Sequence, residues 1–81
     1  MKNDPNKYTY RIEWSDDDQL HIASCLEFLS LSAHGKTPEK ALKEIKFVVA
    51  ESIRWIEEEG HNVPKPLGTK HFESNITQQA A

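Results

Sequence analysis

Two runs of three acids, four histidines and a single cysteine are the residues of this 81-residue chain whose types can do chemistry. Asp16-Asp17-Asp18 invites a metal-dependent nuclease reading, because such hydrolases gather carboxylates around two divalent cations. Those sites draw their acids from different strands and a helix, so that the oxygens converge on one point. Three consecutive acids in a turn splay apart, and a solvated hairpin turn accounts for them more simply. His21, His34, His61 and His71 lack zinc-ligand spacing. His21 and Cys25 share a strand face, yet the strand between them holds them roughly 13 Å apart, too far for one ion. Cys25 has no partner for an internal disulfide and reads as a buried thiol rather than a nucleophile. The sequence therefore predicts no catalytic residue, no metal and no cofactor: a protein that is not an enzyme.

The element that must position everything else is a long helix over residues 38–59. Thr37 suits the N-cap, and Pro38 the first helical position, where its missing N–H is not needed. Gly60 fits the left-handed position beyond the last turn. At 100° per residue, Ala41, Leu42, Ile45, Val48, Val49, Ser52, Ile53 and Ile56 form one broad apolar stripe, with Trp55 at its edge. Charged residues take the other side, with Glu39–Lys43, Lys40–Glu44 and Arg54–Glu58 at the i,i+4 spacing. Each such pair is worth only about 0.2–0.5 kcal/mol, so the stripe decides where the helix goes.

Ahead of the helix, Tyr8 to Trp14 alternates strictly, with Tyr8, Tyr10, Ile12 and Trp14 on one face, which predicts a strand with one buried side. The acidic turn follows, and Leu20 to Cys25 resumes the alternation as the second arm of an antiparallel hairpin. Leu26-Glu27-Phe28 reads as a connection, and a third strand is expected at about 29–33, with Leu29, Leu31 and Ala33 on its apolar face. One apolar sheet face and one apolar helix stripe are most simply buried against each other. The expected fold is therefore α+β, a three-stranded antiparallel sheet packed on one long helix in the order β-β-β-α. Residues 1–7 read as a flexible lead-in and 8–66 as the single domain. Residues 67–81 read as a flexible tail with a hint of a fourth edge strand in Phe72 and Ile76.

A domain this small with no covalent staple has a thin core, which predicts a homodimer or larger oligomer. The net charge of −3 argues against direct DNA binding and suits a basic protein partner. No apolar run approaches the length of a membrane span and no signal-peptide pattern precedes the first strand, so a cytoplasmic protein is expected.

Two features point to a binding surface. Phe47 falls opposite the apolar stripe, among Lys43, Glu51 and Arg54, the anatomy of an interface anchor, although single surface hydrophobes are also ordinary. Glu57 and Glu58 sit at the helix C-terminus, where the macrodipole disfavours acids. They are either a small tolerated cost or an acidic patch for a basic partner. These six residues are the candidate partner-binding set.

The ordered set of an acidic strand hairpin, then Gly35-x-Thr37-Pro38-x-x-Ala41-Leu42 opening a long helix, then Glu59-Gly60 and Pro64-x-Pro66 closing it, resembles the HicB-type antitoxins. The resemblance covers residues 8–66 and implies a partial RNase H-like fold. It also implies a partner, a small basic HicA-type toxin that cleaves messenger RNA, bound and occluded without chemistry by this chain. Two departures stand out. Cys25-Leu26-Glu27-Phe28-Leu29 replaces the Pro-Asp-Leu-Pro-Gly-like corner frequent in the family. The C-terminal DNA-binding module of many relatives is not expected here either. A HicB-like dimerising or regulatory module without a toxin is the alternative function.

Overall fold

The computed structural model describes residues 3–68. The suggested edge strand in 67–81 lies, but for Leu67 and Gly68, outside them. A short 3-10 turn, Pro5–Lys7, precedes strands β1 (Tyr10–Ser15), β2 (Leu20–Cys25) and β3 (Phe28–Gly35) and the helix α1 (Pro38–Glu58). The strands form one antiparallel sheet in the order β1-β2-β3, with Ile12 opposite Ala23 and Ala23 opposite Ala33. The fold is thus the α+β arrangement that the alternation and the capped stripe predict.

The helix is fixed at both ends by its own sequence. Thr37 is extended, and its hydroxyl accepts from the Lys40 N–H at 3.1 Å. At the other end Gly60 has φ of 76°, the Gly60 N–H donates to Glu57 O, and the His61 N–H donates to Ile56 O. That pair of hydrogen bonds satisfies two orphan carbonyls of the last turn and needs the left-handed residue that glycine supplies without strain. Of the three expected i,i+4 ion pairs none is formed. Arg54 instead approaches Glu51, one turn back, at 4.0 Å.

Ala41, Ile45, Val49 and Ile53 are the buried line of α1, and they meet Ala23, Cys25, Phe28 and Tyr8 from the sheet side. Gly35 is required where β3 hands over to the helix, because a Cβ there would lie 2.5 Å from the Ala41 backbone nitrogen. Tyr8 lies just before β1. Its ring packs on Phe28 with centroids 5.4 Å apart, and its hydroxyl donates to Pro64 O at 2.7 Å. Burial raises the Tyr8 and Tyr10 hydroxyls above their ordinary pKa. The Tyr10 hydroxyl donates to Pro5 O at 2.6 Å.

Three expectations about faces are corrected. Leu29 is 85% exposed, and Phe28 enters the core in its place. Between the pairs Ser24–Ser32 and Cys25–Phe28 the register shifts, leaving Leu29, Ser30 and Leu31 without β2 partners. The bulge resets the alternation. Trp14 is 52% exposed, because α1 lies over β2 and β3 and leaves the far end of β1 uncovered. Its ring meets His21 edge-on and its Nε1–H donates to Asp16 at 3.3 Å. Trp55, expected at the core edge, is 61% exposed, because among the described residues no strand beyond β3 lies beneath that flank of the helix.

Candidate functional site

The acidic run occupies the β1–β2 turn, and Asp16, Asp17 and Asp18 are all exposed. The turn is held by its own polar groups. Ser15 Oγ donates to Asp18 at 3.0 Å, and Gln19, itself left-handed at φ of 54°, donates from Nε2 to Asp16 O at 2.7 Å. Among the described residues no three His, Cys, Asp or Glu side chains converge on a point where a metal would sit.

Cys25 is buried, and its thiol is pushed up to about 11, chiefly by desolvation. A thiol held protonated in this way is a poor nucleophile. Its neighbour Glu27 is the residue that sequence reasoning passed over. One Glu27 carboxylate accepts from the Thr9 N–H at 3.0 Å, the Thr9 hydroxyl at 3.1 Å, the Leu67 N–H at 2.9 Å and Cys25 Sγ at 3.4 Å. Burial pushes the Glu27 carboxyl up, but the N–H groups of Leu67 and Thr9 outweigh it and hold the acid below its ordinary value. An acid wedged between Leu26 and Phe28 was the only signal in the sequence. This carboxylate clasps the start of β1, the β2–β3 corner and the segment after α1. Its oxygens are spoken for, which makes it a structural residue rather than a free base.

The outer face of α1 remains. Phe47 is 62% exposed, opposite the buried line. Lys43, Glu51, Arg54 and Glu58 project within about 40° of it and are all exposed, so five of the six candidate residues share one face. Glu57 does not join them. It lies about 80° round the helix, where its carboxylate accepts from the Asn3 amide at 2.9 Å. The face is an exposed ring within a rim of both charge signs, a geometry suited to docking a protein surface rather than to bond chemistry.

The chain matches no known protein family, no curated protein and no solved structure.

Proposed function

We propose that this chain is a non-catalytic, HicB-like antitoxin that neutralises a small basic HicA-type toxin by occlusion, acting as a homodimer or larger oligomer. The observation that carries the reading is Phe47, a large aromatic standing free on the outer helix face inside a charged rim. Such a ring gains nothing for the monomer, and fully desolvated aromatics are what anchor protein interfaces. Glu51 and Glu58 on the same face add the sign of charge that would draw a basic partner.

Co-expression with the tagged product of the neighbouring reading frame tests it. An antitoxin holds a small basic partner through purification, suppresses its RNA cleavage and loses both on Phe47→Ala. Elution of the chain alone, with the neighbour's activity undiminished, refutes the reading.

A further inference from the structure

We propose that the outer edge of β3 is the surface through which two copies of this chain associate, β3 pairing antiparallel with its twin so that the two three-stranded sheets become one. The inference rests on the self-association part of the reading above and on none of its toxin part.

The two edges of the sheet differ in a way that points to one of them. Edge strands present unpaired backbone N–H and C=O groups, and proteins that stay apart blunt them with charge or proline. The β1 edge carries Arg11 and Glu13, both exposed and paired with each other. The β3 edge, from Phe28 to Gly35, is the longest strand and carries no Lys, Arg, Asp, Glu or Pro. Among the described residues nothing pairs with its outer side. The bulge deflects only its first half, leaving Ser32–Gly35 in regular register.

A groove of about 630 Å³ runs along that regular half, with Ser32–Gly35 as one wall and Lys40, Lys43 and Glu44 as the other. Ala33 in its lining is only half-buried, as is Leu31 just before it in the strand. Trp55 lies three turns along α1 from Glu44, hence on the same helix flank, and is left uncovered. An added strand would cover the half-buried residues and bring a second helix beside the first.

Charge decides which occupant fits. The groove wall offers two cations and one anion. A wall that carries both signs can meet its own copy with cation against anion, which a partner of one sign cannot match. A two-fold axis placed so that the lysines of one copy face Glu44 of the other gives the self-complementarity an isologous dimer needs.

The test combines sedimentation equilibrium at micromolar concentration with a short bis-maleimide cross-linker on the full chain. Ser32 and Arg11 are exposed, one on each edge strand, so Ser32→Cys and Arg11→Cys are tolerated, while native Cys25 stays buried and unreactive. The wild type is expected to be dimeric, and Ser32→Cys to cross-link whereas Arg11→Cys does not. Lys43→Glu should weaken the dimer at least about tenfold, and adding Glu44→Lys should restore it. A dimer that cross-links through Arg11→Cys, or through neither position, overturns the β3 assignment while leaving self-association intact. A wild-type monomer overturns both.

Discussion

At the scale of single residues, the Glu27 clasp makes the clearest prediction. Its carboxylate satisfies two backbone N–H groups from segments far apart in sequence. Glu27→Ala should therefore cost about 1–3 kcal/mol of stability in chemical denaturation, because Thr9 and Leu67 lose their acceptor. Because the folded-state pKa is depressed, the stability that Glu27 contributes is fully present above the unfolded carboxylate value. It is lost as pH falls through the lower, folded value. The gap between wild type and Glu27→Gln should narrow as pH drops through and below the ordinary carboxylate range. Cys25 makes a second prediction. With its thiol pushed up to about 11 and buried, it should ignore a disulfide reagent at neutral pH until the protein is unfolded. Prompt stoichiometric labelling of the native protein would contradict this placement.

At the scale of elements, α1 is stabilised locally at its ends and by burial along its middle. Removing the cap with Thr37→Ala should cost about 0.5–2 kcal/mol. Gly60→Ala should cost about 1–2 kcal/mol, because its φ of 76° strains any residue with a Cβ. Ile45→Ala, deep in the buried line, should cost about 2–5 kcal/mol through lost transfer energy and a residual cavity. Gly35→Ala acts differently, since it drives a methyl into the first turn of α1 and should lower the thermal midpoint through overpacking. Thermal and denaturant unfolding of these four variants separates capping from packing. Only the packing changes should reach the larger costs.

For the whole molecule, the faces that carry exposed aromatics should matter to association and not to folding. Phe47→Ala should leave monomer stability within about 0.5 kcal/mol, as at ordinary surface sites. It should weaken partner binding by roughly 1–3 kcal/mol, read by calorimetry or by co-purification. Large destabilisation would mean that the ring contributes to the core. The sheet arranges for these faces to exist. With three strands and one helix, one sheet face, one helix face and the β3 edge have no further layer of the described residues to cover them.

Local physics made the frame readable. Thr37-Pro38 and Gly60 delimit α1 because caps act within a few residues, and the strand alternation predicts the hairpin because side-chain direction along a strand is also local. The exposure of Phe47 followed from the same helical geometry. What periodicity did not decide was coverage. Leu29 and Trp14 carry apolar side chains at apolar phases, but the bulge turns one out and the helix path misses the other. Trp55 is exposed because β3 is the last strand of the described sheet, and Glu57 turns to Asn3, a neighbour 54 residues away. Glu27 illustrates the same limit, because its donors come from Thr9 and Leu67, residues 18 and 40 positions distant. The sequence by itself determined where α1 begins, ends and turns its apolar side and that an antiparallel hairpin precedes it, but not where β3 begins. Which of those sides is covered, and which polar groups meet, depended on contacts between distant segments, and only the tertiary structure decided them.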